Sequence, residues 1–196
     1  MIFLALCLIM LAAVTATTRA DTPYEEDKAH FGEQTIMSMA NVSDVLFVYK
    51  RNFNTSTPFR CLYAVLRQKI NETQYTYTLG ALYKKKWIEH NVTSILSKTG
   101  NHTEYNAATY PNALGATPKL RKLMTKDTNN TCFILVEDLD ENGKGCQLMM
   151  TKSQAATGKV PKQCREVYAK QCAGPPSKKL YNKKCKRHGT AEGLSL

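Results

Sequence analysis

A chain of 196 residues, 43% of them hydrophobic, can enclose a real core and falls within the size of a single domain. Its 27 lysines and arginines outnumber its 16 aspartates and glutamates, for a formal charge of +11. The cations are dispersed except at Lys84–Lys86, Lys178–Lys179 and Lys183–Arg187, with no zinc-finger spacing or RNA-binding consensus, so they read as a solvated surface and a basic tail rather than a nucleic-acid site.

Residues 1–16, MIFLALCLIMLAAVTA, form an uncharged apolar run, shorter than the roughly 20 residues a membrane span needs. The run and the small residues after it read as a signal peptide over 1–20, cleaved after Ala20 or after Ala16, which implies export. No later stretch approaches spanning length, so a secreted, soluble product with no membrane span is expected. The leader takes Cys7 with it. Six cysteines remain, Cys61, Cys132, Cys146, Cys164, Cys172 and Cys185, and an even number in an exported chain reads as three disulfides. Their pairing stays open at this point, and without a CxxC pair they suggest no metal site. Six N-x-S/T acceptors, at Asn41, Asn54, Asn71, Asn91, Asn101 and Asn129, predict N-glycosylation, mostly on turns or strand ends.

In chain order, Pro23 to Met39 is polar with scattered apolar residues and predicts a short helix or turn. Val45–Tyr49 and Arg60–Arg67 are runs rich in strand formers. Thr73–Leu79 alternates cleanly, with Tyr75, Tyr77 and Leu79 on one face. Trp87–Ile88, Val92–Leu96 and Thr103–Tyr110 suggest further strand pieces, and Pro111–Asp127 is ambiguous. Thr131–Glu137 is a strong strand, and Cys146–Thr151 returns beside it after the polar turn Asp138–Gly145. Many short strands with turn residues between them predict a sandwich or closed barrel. After Pro161, Cys164, Val167, Tyr168 and Cys172 recur at helical spacing, and Gly174-Pro175-Pro176 stops the helix. The domain is expected over 21–187, followed by a flexible tail at 188–196.

Cys164 and Cys172 share one face of that helix, roughly 12 Å apart along its axis. Cys132 and Cys146 lie on the two strands of the hairpin, and joining each to one helical cysteine would bolt the helix across the sheet's outer side. If Cys146 faces that helix, alternation sends Leu148 and Met150 outward and Gln147 and Met149 inward. An inward glutamine needs a hydrogen-bonding partner, whether a ligand, a water or another side chain. The histidines, His30, His90, His102 and His188, fall in the N-terminal segment, at or near turns and in the tail. None has a sequence-local serine or cysteine arrangement of a nucleophilic site, so no enzyme is expected.

These residues resemble the tick salivary lipocalins, including the histamine-binding proteins. The likeness rests on Cys132-Phe133-Ile134-Leu135-Val136, on Gln147-Leu148-Met149 after an acidic glycine-containing turn, on Pro161-Lys162-Gln163-Cys164, and on Cys185. It implies a mainly β fold, an eight-stranded antiparallel up-and-down lipocalin barrel with a short N-terminal helix and a C-terminal helix packed outside. It implies the pairs Cys61–Cys185 and Cys132–Cys164, with Cys146–Cys172 as an extra link. The implied role is sequestration of a host inflammatory mediator, without a cofactor, by a secreted monomer that serves immune evasion. Where the amine binders of that family carry Asp or Asn after the cysteine and later a Glu-Leu-Trp or Glu-Leu-Tyr motif, this chain has Phe133 and Gln147. Gln147 lacks the charge that neutralises an amine, and Met149 lacks the aromatic face that covers one. The expected guest is therefore a small hydrophobic or amphipathic molecule such as an eicosanoid, fatty acid or sterol. Tyr75, Tyr77, Gln147 and Met149 are the pocket candidates. A biogenic amine such as histamine or serotonin, held by Glu89, Glu104 or Glu137, and a host immune protein or complement component are the alternatives.

Overall fold

Alternating sequence becomes wall: eight antiparallel strands wind up and down and close on themselves. In a computed structural model describing residues 22–55, 57–139, 143–172, 174 and 176–187, they are β1 (Leu46–Arg51), β2 (Arg60–Lys69), β3 (Gln74–Tyr83), β4 (Lys86–Ser97), β5 (Ala107–Tyr110), β6 (Lys119–Lys126), β7 (Cys132–Asp138) and β8 (Lys144–Thr151). Each pairs with the next, and β1 pairs with both β8 and β2 to complete the ring. A two-residue strand, β9 (Lys178–Lys179), adds to β1. The expected leader at 1–20, with Cys7, and the tail at 188–196 lie outside the described residues.

Period two sorts the apolar side chains into two layers. Leu46, Val48, Tyr75, Phe133, Leu135 and Met149 fall inside the barrel. Phe47, Tyr63, Ile134, Cys146, Leu148 and Met150 fall outside, with Cys164, Val167 and Tyr168 of helix α3 (Lys162–Gln171). The structure joins Cys132 to Cys164 and Cys146 to Cys172, fastening α3 to β7 and β8, and Cys61 to Cys185, fastening the C-terminal segment to β2. These are the pairs the resemblance implies. Each link stabilises by about 2–4 kcal/mol.

The N-terminal stretch forms two short 3-10 turns, Tyr24–Glu26 and Lys28–Glu33, then one turn of helix, α1 (Met37–Ala40). Three elements depart from the sequence reading. The ambiguous region contributes β6, whose alternation is broken by a register shift between Leu123 and Thr125. The two pieces read at Trp87–Ile88 and Val92–Leu96 are one strand, because the intervening Glu89 and Asn91 occupy its outer, half-wet face. A short helix, α2 (Lys152–Thr157), follows β8 directly. Thr151 caps it by accepting from the Gln154 N–H, and Gly158 ends it at φ 74°.

Candidate functional site

The barrel encloses a cavity of about 660 Å³. Ile36, Met39 and Ala40, at and just before α1, close one end, and Leu46, Val48, Val92, Leu135 and Met149 form much of the wall. The mouth lies at the other end, among Phe53 and Phe59 of the β1–β2 loop and Ala113 and Leu114 of the β5–β6 loop. An interior of this kind favours apolar matter, at roughly 0.8 kcal/mol per buried methylene.

One cation breaks the apolar lining. In β1, Val48 lies opposite Met149, but Lys50 lies opposite Leu148 and Arg51 opposite Gln147, so the strand holds one extra residue. Strict alternation after Leu46 and Val48 would turn Lys50 inward and Arg51 outward. The bulge reverses them. Lys50 reaches outward over the Tyr168 ring, 3.9 Å from its centroid, and Arg51 lines the cavity at 7% exposure. Arg51 Nη2 donates to Thr55 Oγ1 at 2.6 Å, and the guanidinium carbon stands 5.3 Å from the Phe53 ring centroid. Its Nε is buried and finds no acceptor among the described residues. Burial pulls its pKa below the ordinary guanidinium value, with Glu137 opposing that pull and Arg60 adding to it.

Around Arg51 the other polar groups are sparse. Gln147 is its direct cross-strand neighbour, and no described residue hydrogen-bonds its amide. His90 also lines the cavity, and its Nε2 is buried without a partner among the described residues. Glu89 is the one carboxylate among the described residues that border the cavity, but it stands in the outward-facing register of β4, where it accepts a hydrogen bond from the Tyr63 hydroxyl. Burial, reinforced by Glu89, raises the pKa of that phenol. The Tyr63 ring lies so close over Gly80 that a Cβ there would stand 2.2 Å from ring carbon Cζ, which is why the strand carries glycine at this crossing. Glu137 is buried beside Arg121, whose Nη2 lies 2.8 Å from its Oε2. Arg121 Nη1 also donates to the Tyr110 carbonyl at 3.0 Å, and Nη2 donates to Asn112 Oδ1 at 2.7 Å. Glu104 is exposed, on the β4–β5 connection away from the mouth.

Gln147, Met149 and Tyr77 of the sequence-derived candidates line this cavity. The Tyr77 hydroxyl donates to the Ala40 carbonyl at 3.1 Å, so it clips α1 across the barrel's end instead of offering itself to a guest. Tyr75 faces inward but lies beyond the cavity, fully buried, its hydroxyl 3.8 Å from Met37 Sδ. The wall there is filled by α1 and its flanks, which period two in β3 cannot reveal. Arg51 and His90 were not among the candidates. The bulge hides the first, and the second stands within β4, where its polar neighbours read as a turn.

All six acceptor asparagines are exposed. Asn71 lies in the β2–β3 turn, where its Oδ1 accepts from the Thr73 and Gln74 N–H groups. Asn91 departs from the turn expectation: it stands mid-strand on β4, accepting from Thr78 Oγ1 at 2.7 Å on the outer face.

The family model described as tick histamine binding protein matches residues 24–187. No curated protein sequence matches the chain. Among solved structures, a serotonin complex of AM182 superposes with a TM-score of 0.59 at 15% identity, covering 81% of this chain and 97% of that one. Japanin from Rhipicephalus appendiculatus, bound to cholesterol, superposes with a TM-score of 0.52 at 15% identity, covering 74% of this chain and 97% of its own. At these identities the likeness establishes the shared barrel.

Proposed function

Because the chain belongs to the tick histamine-binding protein family, we propose that it is a secreted binding protein that holds a small amphipathic lipid in its barrel rather than a protonated amine. The observation that carries this reading is the composition of the cavity wall: it is mostly apolar, its exposed-to-guest cation is Arg51, and its one described carboxylate is engaged by Tyr63. An amine that sheds its water there needs a carboxylate to compensate, and a missing partner costs several kcal/mol. Glu137 is close, but Arg121 already neutralises it. An apolar chain meets no such penalty. The guests named for the structural neighbours, serotonin and cholesterol, span both chemistries, and the residues here favour the second.

Three disulfides fit an oxidising, extracellular setting, and six exposed acceptor sites fit glycosylation on that route. Binding of a host immune protein is a second reading, favoured by one observation: Leu114, on a mouth loop without an acceptor site, is 86% exposed.

Native mass spectrometry of the secreted, enzymatically deglycosylated protein, mixed with fatty acids, a sterol, histamine and serotonin, tests the proposal. A one-to-one lipid adduct is expected. An amine adduct without any lipid adduct, or a barrel that takes up nothing, would overturn it.

A further inference from the structure

We propose that Arg51 is the anchor for an acidic headgroup, so that the barrel selects lipids ending in a carboxylate over neutral lipids of the same length. This rests on the lipid-binding reading above and names the ligand class of that same cavity. Three observations converge. First, the bulge in β1 turns an arginine into a mostly apolar cavity lining, where a regular strand would have turned Lys50. Second, Arg51 is 7% exposed, yet its buried Nε donates to nothing among the described residues. A buried donor without an acceptor is costly and rare, and a carboxylate in the cavity would supply what is missing. Third, its cross-strand neighbour Gln147 has an amide unengaged among the described residues, which provides a further N–H donor to the same oxygen pair.

The charges nearby favour an anion. Arg121 and Glu137 neutralise each other, so among the described residues that line the cavity Arg51 is the cation without a contacting acid. Arg51 ends β1, and Phe53, Thr55 and Phe59 follow it towards the mouth, whereas Met39 and Ala40 close the far end. The carboxylate therefore sits near the entrance, and the hydrocarbon chain runs inward past Val48 and Met149 towards α1. Guanidinium and carboxylate match as a planar fork, and such charge-assisted bonds are about twice as strong as neutral ones.

The test compares dodecanoate with dodecanol, which share a chain and differ in charge, by displacement of the uncharged fluorophore phenylnaphthylamine from the intact secreted protein near neutral pH. The wild type is expected to bind dodecanoate about tenfold to a hundredfold more tightly than dodecanol. Arg51→Met, which keeps an apolar stem and drops the charge, should remove that preference, with a loss of affinity for dodecanoate at least about tenfold larger than any change for dodecanol. Gln147→Glu, which sets a competing carboxylate opposite Arg51, should also lose dodecanoate. Equal wild-type affinity for acid and alcohol, or a preference that survives Arg51→Met, would overturn the assignment of Arg51 and leave the lipid-binding reading standing. A wild type that binds fluorophore, acid and alcohol not at all would overturn both.

Discussion

Among the described residues, two arginines face the barrel interior and live differently. Arg121 is fully buried, yet a carboxylate, two backbone carbonyls and the Asn112 side chain accept from or oppose its charge, and its guanidinium carbon lies 4.2 Å from the Tyr110 ring centroid. Among the described residues both Nε atoms are bare, but Arg51 has a single hydroxyl as its acceptor and no carboxylate within ion-pair distance. The first is a structural ion pair, and the second is the proposed anchor for a guest. Arg121→Met should strand the Glu137 carboxylate and cost about 3–5 kcal/mol, read as a lower midpoint in urea unfolding with disulfides intact. Adding Glu137→Leu should recover most of the loss, because removing both charges also removes the desolvation penalty. Additive losses in the double variant would show that the two residues stabilise the wall independently. At this scale, Gln147 and Met149 were legible, because Cys146 fixes the parity of β8 and both neighbours follow from it. Arg51 was not, since a one-residue bulge inverts parity without leaving a mark in composition.

Among elements, the β3–β4 hairpin turns on an unusual pair. Tyr83 pairs with Lys86, and the two residues between them, Lys84 and Lys85, have φ of 45° and 68°. A two-residue loop with both φ values positive favours Asn-Gly, because a Cβ in the left-handed region crowds the backbone by roughly 1–2 kcal/mol per residue. Lys84→Asn with Lys85→Gly should therefore raise stability by about 1–2 kcal/mol in urea unfolding, and an unchanged or lower midpoint would argue that these lysines gain compensating contacts. The strands with strong local alternation or dense strand formers, β1, β2, β3, β7 and β8, were readable, as was α3 from its cysteine spacing. β6 was hidden because its inward Arg121 and outward Lys122 are made tolerable only by Glu137 and Glu26, which lie far away in sequence. β9 was hidden for a related reason: two exposed lysines form a strand only because the edge of β1 is there to receive them.

Across the whole molecule, covalent and electrostatic design divide the labour. The three disulfides hold α3 and the C-terminal segment against the outer side of the wall, leaving the interior free of the need to fill itself for stability. The net charge is strongly basic, which draws anionic solutes at long range in low salt, and on the proposal above Arg51, the one cation among the described cavity-lining residues, sets how one of them docks. Alternation alone leaves a sandwich or a closed barrel open, the family resemblance implies the barrel, and cysteine placement turns Gln147 and Met149 inward; the inward turn of Arg51 could not be anticipated. The most direct test of the central claim is a crystal of the protein soaked with hexadecanoate brominated on the carbon next to the carboxyl group. An anomalous bromine peak inside the cavity, beside Arg51 and Gln147, is expected. A peak at the α1 end beside Met39 and Tyr77, or no peak within the barrel, would contradict it.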